Sequence, residues 1–281
     1  MYQITKEKVK SFIPKREKDS YKGSYGSVLV VGGNENMGGA TILTASASVY
    51  SGTGLVTVAT HPANQSALHA RLPEAMFIPM SDHKQLEEKI ESMSVIIVGP
   101  GLGRDQSSLG VLRTVYENTT NEQVLVVDGD AIYLHVNEDL PKPKAQLVFT
   151  PHLGEWRTLT GLSPDAENEA ENKEHVNRLD AIVVLKKDRT EVYYEDEVWK
   201  NTAGNPSMAT GGMGDTLAGM LGGFLAQFKN EKHALLSAVF VHSYIADVLS
   251  ETYYVTLPTH IIEAIPKVMT ELVKNEPIMW A

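Results

Sequence analysis

The chain has 281 residues, a formal net charge of -10 at pH 7 and no cysteine. The negative charge argues against a nucleic-acid partner, because phosphate backbones are bound by clusters of lysine and arginine, and the lack of cysteine excludes disulfides and thiolate metal sites. Residues 1–20 are charged throughout and no apolar run approaches the ~20 residues of a membrane span, so we expect no membrane contact and a cytoplasmic location.

Six short runs rich in β-branched residues predict buried strands. They are residues 27–33, 54–60, 94–100, 123–130, 146–151 and 181–186. Each run is continuously apolar, which is typical of strands covered on both faces. Segments of helical length lie between them, at 40–51, 83–93, 105–118 and 164–179. This alternation predicts an α/β fold with a mainly parallel sheet and helices on both of its faces.

The last third of the chain has a different pattern. Residues 190–201 predict a hairpin with its turn near residue 195, and helical patterns follow at roughly 214–228, 231–250 and 258–275. We find no repeat and no linker, so we expect one domain over residues 1–281. Ligands on such sheets bind beyond the carboxyl ends of the strands, and the glycine-rich and acidic loops of this chain follow those ends.

The segment that runs from Gly204 to Met220 reads GNPSMATGGMGDTLAGM. Its glycines permit a close backbone approach, and a helix start presents N–H donors to an anion. The predicted anion hole consists of Gly211, Gly212, Met213 and Gly214. Asp215 would act as a base there, and a side chain at Gly214 would crowd the anion or require an unfavourable φ. The alternative is an ordinary helix start with tight packing.

Four other loops carry candidate residues, each with a structural alternative. GPGLG at 99–103 is either a binding turn or a tight strand-to-helix turn. Asp128 and Asp130 either orient hydrated Mg²⁺ or cap the next helix. His152 lies two residues past a strand and is either a ligand contact or structural. LKKDRT at 185–190 is either a phosphate clamp or a solvated loop.

In this order, the motifs resemble those of the ADP-dependent (S)-NAD(P)H-hydrate dehydratases, a family of the ribokinase-like superfamily. The resemblance covers roughly residues 5–275. It is carried by KGSYG (22–26), VVGG and MGGA (within 30–40), SGTGLVT (51–57), LPE (72–74), GPGLG (99–103), VVDGDA (126–131), TPHLGE (150–155), LKKDRT (185–190) and AGNPSMATGGMGDTLAGMLGG (203–223).

The resemblance implies a ribokinase-like three-layer sandwich and a repair reaction. An enzyme of this family uses ADP to remove water from hydrated NADH or NADPH, which yields the reduced nucleotide, AMP and phosphate. Asp215 would deprotonate the hydrate hydroxyl, which is then phosphorylated, and Mg²⁺ is implied because the transferred charge must be neutralised. A homo-oligomer, most often a tetramer, is also implied.

Two sets of binding residues follow from the same resemblance. The positions that match hydrate contacts are Ala40, Gly103, His152 and Asp215. The positions that match AMP contacts are Lys186, Lys187, Asp188, Arg189, Thr190 and Gly214. Lys187 departs from the family's pattern, because it replaces a glycine, and this puts the geometry of the phosphate clamp in question.

Two other functions fit the glycine-rich segment and its aspartate. One is an ATP-dependent kinase of a vitamin precursor or sugar with the same fold and a stable phosphorylated product. The other is a non-catalytic sensor that binds an adenylate, although a retained Asp215 argues against it. The residues alone do not separate the kinase from the dehydratase, and only the wider set of motifs favours the latter.

Overall fold

A computed structural model describes residues 1–274, and within that range the chain builds a ten-stranded sheet. In chain order the strands are β1 (Tyr2–Ile4), β2 (Ser27–Val31), β3 (Leu55–Thr60), β4 (Met76–Pro79), β5 (Val95–Val98), β6 (Val124–Val127), β7 (Gln146–Phe149), β8 (Ile182–Leu185), β9 (Glu191–Tyr194) and β10 (Glu197–Asn201). Across the sheet their order is β1-β10-β9-β8-β7-β6-β5-β2-β3-β4.

Eleven α-helices flank this sheet within the described residues. They are α1 (Lys6–Phe12), α2 (Gly38–Tyr50), α3 (Gln65–Arg71), α4 (His83–Glu91), α5 (Gln106–Asn118), α6 (Asp130–Asn137), α7 (Leu153–Thr160), α8 (Glu169–Leu179), α9 (Met213–Gln227), α10 (Glu231–Leu249) and α11 (Pro258–Lys274). None of them is both long enough and apolar enough to cross a membrane.

The sheet separates two apolar cores, because successive side chains of a strand point to opposite faces. In β2, Val28 and Val30 pack into one core, whereas Leu29 and Val31 pack into the other. The first core is closed by α1, α2, α3, α9, α10 and α11, and the second by α4 to α8. Both faces of the central strands are thus buried, which explains their uninterrupted apolar sequences.

Strands β2 to β8 pair with one another in parallel, whereas β9 pairs antiparallel with both of its neighbours, β8 and β10. The chain runs outward from β2 to β4 in one direction and from β5 to β10 in the other. The point where the direction reverses lies between β2 and β5, and parallel sheets open a crevice there.

The predicted fold class is confirmed, and the six predicted strands correspond to β2, β3, β5, β6, β7 and β8. The hairpin is confirmed as well, with Glu195 at its turn in a left-handed conformation (φ 49°). The sequence did not predict β1, β4, α1, α3, α6 or α7. The last predicted helix ends at Lys274, and residue 275 of that prediction lies outside the described part of the chain.

Candidate functional site

The start of α9 has a main-chain geometry that favours an anion. Gly212 precedes the helix with a φ of 91°, which disfavours any residue with a side chain. The first N–H to bond within the helix is that of Thr216, which donates to the Gly212 carbonyl at 3.0 Å. The N–H groups of Met213, Gly214 and Asp215 precede it and have no acceptor within the helix. They and the helix dipole favour a negative charge at this end.

Two other glycines of the segment serve different purposes. A Cβ at Gly219 would lie 2.1 Å from the carbonyl oxygen of Thr44, so this glycine allows α9 to pack closely on α2. Gly214 has no positive φ, and the expectation of an unfavourable φ there is wrong, because this residue already belongs to the first turn of α9. A Cβ at Gly214 would instead lie 3.3 Å from Nζ of Lys186.

Asp215 lies in the first turn of α9 with a strongly perturbed charge. The pKa of its carboxyl is raised to about 6, mainly by burial and also by the neighbouring Asp128 and Asp130, although Lys186 opposes the rise. A carboxylate with this pKa is mostly ionised at pH 7 and yet basic enough to accept a proton. Asp215 thus has the pKa that suits a general base, at a helix start that favours an anion.

Lys186 connects α9 to the central strands. Its Nζ lies 2.7 Å from Oδ1 of the buried Asp128, which also accepts a hydrogen bond of 2.6 Å from the Thr150 hydroxyl. Burial lowers the pKa of Lys186, but Asp128, Glu155 and Asp215 outweigh burial and hold the pKa above its usual value. Lys186 is therefore a fixed cation at the end of β8, next to the start of α9.

The loop after β5 lies at the crevice between β2 and β5. Gly103 has a φ of 92° and donates its N–H to Oδ2 of Asp130 at 2.9 Å. Arg104 holds the other oxygen of Asp130 at 2.7 Å. Asn34, which follows β2, donates its N–H to the Gly101 carbonyl at 2.7 Å, and the two loops therefore form one wall. Ala40 lies close to this wall, since a Cβ at Gly101 would be 3.1 Å from its own.

His152 caps α7 and remains exposed. Its Nδ1 accepts the Glu155 N–H at 3.2 Å, while the Glu155 carboxylate accepts the N–H of His152 at 2.8 Å. A main-chain bridge pairs His152 with Lys186. The capping role expected of a structural histidine is thus present, with Nε2 3.5 Å from Oε1 of Glu155, and the side chain, which is 61% exposed, leaves room for a ligand contact.

The side chains of the remaining residues of the 186–190 loop point in different directions. Lys187 forms an ion pair of 2.7 Å with the buried Glu191. Arg189 donates to the carbonyls of Thr202 and Gly204, at 3.1 and 2.7 Å. The carbonyl of Thr190 accepts the N–H of Asn201, which starts the hairpin, and the side chain of Asp188 is exposed. All three cations of this loop, Lys186 included, are therefore held by partners in the protein itself.

Two residues of the site had no signal in the sequence. Asp247 of α10 accepts hydrogen bonds from the N–H of Gly204 at 2.9 Å and from the Asn205 amide at 2.7 Å, so it fixes the loop before α9. His242 of α10 is buried, and its ring forms a hydrogen bond with the main chain of Met213. Burial lowers the pKa of His242 to about 4, so the ring is neutral at pH 7. Both residues lie inside a helix far along the chain, where neither spacing nor composition reveals a partner.

The described residues offer no cluster of three or more metal-ligating side chains. Asp128 is engaged by Lys186, and Asp130 by Gly103 and Arg104. Proteins usually bind Mg²⁺ through one or two carboxylates together with the phosphates of a nucleotide. The two aspartates fit a metal ion that arrives on a nucleotide, and they do not fit a cage made by the protein alone.

Comparison with known proteins shows the family to which this chain belongs. A family model described as NAD(P)H-hydrate dehydratase matches residues 28–267. The ADP-dependent (S)-NAD(P)H-hydrate dehydratase of Staphylococcus aureus is 48% identical over 270 residues, which cover 96% of this chain and 98% of the relative.

Two solved structures share the fold. A ribokinase-like superfamily protein from Enterococcus faecalis has a TM-score of 0.93 and 41% identity, with 98% of this chain and 97% of that chain covered. The ADP/ATP-dependent NAD(P)H-hydrate dehydratase of Bacillus subtilis, co-crystallised with ATP and Mg²⁺, has a TM-score of 0.86 and 29% identity, with 96% and 98% covered. The ribokinase-like fold expected from the sequence is therefore confirmed.

Proposed function

Because the chain belongs to the NAD(P)H-hydrate dehydratase family, we propose that it removes water from the (S)-hydrate of NADH or NADPH at the expense of ADP, with AMP and phosphate as the other products. The observation that carries this proposal is the position of Asp215. Its carboxylate, with a pKa raised to about 6, lies beside Lys186 and at a helix start with free N–H groups. These are the groups that phosphoryl transfer to a hydroxyl needs.

The reaction begins when Asp215 accepts the proton of the hydrate hydroxyl. The hydroxyl oxygen bonds to the β-phosphorus of ADP, the bond between that phosphorus and the bridging oxygen breaks, and AMP leaves. The N–H groups of Met213 and Gly214 hold the charge on the transferred phosphoryl group. The lone pair of the ring nitrogen then expels phosphate, and loss of a proton from the neighbouring carbon restores the ring double bond.

The sheet is wide enough for both substrates. Five parallel strands lie side by side from β2 to β8, and at about 4.8 Å between neighbours they span about 19 Å. We place the hydrate at the β2–β5 crevice, near Ala40 and Gly103, with His152 at its far side. The nucleotide then occupies the 186–190 loop, and Asp215 lies between the two.

Mg²⁺ would be held by the nucleotide phosphates and water, with Asp128 and Asp130 as the nearest acidic residues, and it would neutralise charge on the phosphates. We further propose that the chain is one domain, since one sheet runs through all its described strands, and that it assembles as a tetramer. The cytoplasmic location expected from the sequence stays a prediction, which cell fractionation tests.

Product analysis tests the proposed function. With the (S)-hydrate, ADP and Mg²⁺, each mole of hydrate consumed should give one mole each of reduced nucleotide, AMP and phosphate. Asp215→Asn should form none of them while its affinity for AMP, measured by calorimetry, changes by less than about 3-fold. A phosphorylated hydrate that accumulates without release of reduced nucleotide would instead identify a kinase, and an inactive parent enzyme that still binds AMP would favour the sensor.

A further inference from the structure

A chain of buried polar side chains leads away from Lys187. Its Nζ pairs with Oε1 of Glu191 at 2.7 Å, and the other carboxylate oxygen of Glu191 accepts the Tyr193 hydroxyl at 2.8 Å. Tyr193 accepts the Asn172 amide at 3.1 Å, and Asn172 accepts the Trp156 indole N–H at 2.8 Å. The network therefore ties the 186–190 loop to β9, α8 and α7.

The network lies on the face of the sheet opposite to α9. Glu191 and Tyr193 are two residues apart in β9, so their side chains point to the same face. Tyr193 packs in the second core with Trp156, whereas α9 closes the first core. Lys186, by contrast, is directed towards the start of α9, since its Nζ would lie 3.3 Å from a Cβ at Gly214. The two consecutive lysines thus have opposite directions.

The buried charge of Glu191 depends on its ion-pair and hydrogen-bond partners. Its side chain is 3% exposed, and a buried carboxylate is tolerated only when it is paired and hydrogen-bonded. Lys187 supplies the cation, and its own side chain is 23% exposed. If Lys187 turned towards a phosphate, Glu191 would keep its charge without that cation. The ion pair therefore restrains Lys187 and, with it, the main chain of the loop.

We propose that Lys187 is a positioning residue whose ion pair with Glu191 holds the 186–190 loop in the conformation that receives the nucleotide phosphates, and that its ammonium group does not contact phosphate. The proposal rests on the proposed function, in which this loop binds ADP and AMP. It also explains how a lysine replaces the glycine expected at this position. The lysine side chain points to the opposite face of the sheet and therefore does not fill the phosphate site.

A double-mutant cycle in the full-length protein tests this role by AMP calorimetry, which needs no turnover. Lys187→Met leaves Glu191 buried without its cation, and we expect AMP affinity to fall about 10-fold, within the range of coupled contacts. Lys187→Met with Glu191→Gln removes both charges, and affinity should return to within about 3-fold of the parent. A double variant as weak as Lys187→Met would show that the lysine charge itself binds phosphate, which overturns the proposal.

A control and a second readout complete the test. Lys232 forms a similar ion pair with Glu197 at 3.0 Å, away from the loop, and Lys232→Met should leave AMP affinity unchanged. In Lys187→Met without nucleotide, the amides of residues 187–190 should exchange with solvent about 10-fold faster than in the parent, because a lost tether lowers local stability. Unchanged exchange would refute the positioning role even if the double variant failed to fold. A parent that binds AMP but lacks turnover would count against the proposed function alone.

Discussion

Replacing Asp215 by Asn should abolish turnover and at the same time stabilise the protein. Raising the pKa of this carboxyl from its ordinary 3.8 to about 6 corresponds to about 3 kcal/mol, at about 1.4 kcal/mol for each tenfold change. Because Asp215 is partly exposed, we expect solvent screening to leave about 2 kcal/mol. The folded state binds this proton more tightly than the unfolded state, so the parent loses stability as the pH rises from about 4 to about 6. Asparagine does not titrate and avoids this loss.

Thermal melts without nucleotide check the predicted stabilisation by Asp215→Asn. For a chain of this size, about 2 kcal/mol corresponds to a rise in melting temperature of about 4–8 °C at pH 7.5, and the difference should shrink markedly at pH 4. Asp105→Asn is a control of opposite sign, because hydrogen bonds from Ser108 hold the pKa of Asp105 below its usual value. Its loss should lower the melting temperature at pH 7.5. If Asp215→Asn were destabilising at pH 7.5, or if its effect were independent of pH, the raised pKa of the buried Asp215 carboxyl would be refuted.

Three further predictions concern the nucleotide side of the site and the assembly. Gly214→Val should lose at least about 100-fold in turnover, because its side chain would contact Lys186 and crowd the anion, while the melting temperature falls by only a few degrees. Gly110→Ala, in α5 and away from the site, is its matched control, and similar losses in both would point to a general helix effect. Lys186→Ala should weaken AMP binding at least about 10-fold and hydrate binding less, since charge-assisted contacts contribute about 1.5–3 kcal/mol. If calorimetry gave the variant and the parent equal affinities for AMP, the phosphate-clamp role of the loop would be refuted. Light scattering at micromolar concentration should give a tetramer, and a particle of one chain's mass, 30.8 kDa, would contradict it.

The central strands could be predicted because their signal is local. Each of β2, β5, β6 and β8 is buried on both faces and therefore reads as a continuous apolar run. The edge strands β1 and β4 lack that signal. Tyr2 and Met76 are exposed, and these strands form only by pairing with β10 and β3, which are distant in sequence. Such pairing depends on tertiary contacts that no short window contains.

The candidate site was predictable in its glycine turn and only partly in its side-chain directions. The loop GGMGD precedes an apolar helix, and an anion site at its start is predicted by the sequence alone. The opposite directions of Lys186 and Lys187 do not, because they depend on Asp128 and Glu191 on the two faces of the sheet. The anchoring role of Asp247 depends on the packing of α10, which brings it to Gly204.

The most direct test of the central claim is recovery of absorbance at the reduced-nicotinamide band, starting from the purified (S)-hydrate with ADP, ATP or no nucleotide. The parent protein should restore the absorbance with ADP and not without nucleotide, because the hydroxyl leaves only after phosphorylation. Asp215→Asn should restore none. Recovery without any nucleotide, or turnover of Asp215→Asn within a few-fold of the parent, would contradict a mechanism in which Asp215 drives phosphorylation of the hydrate.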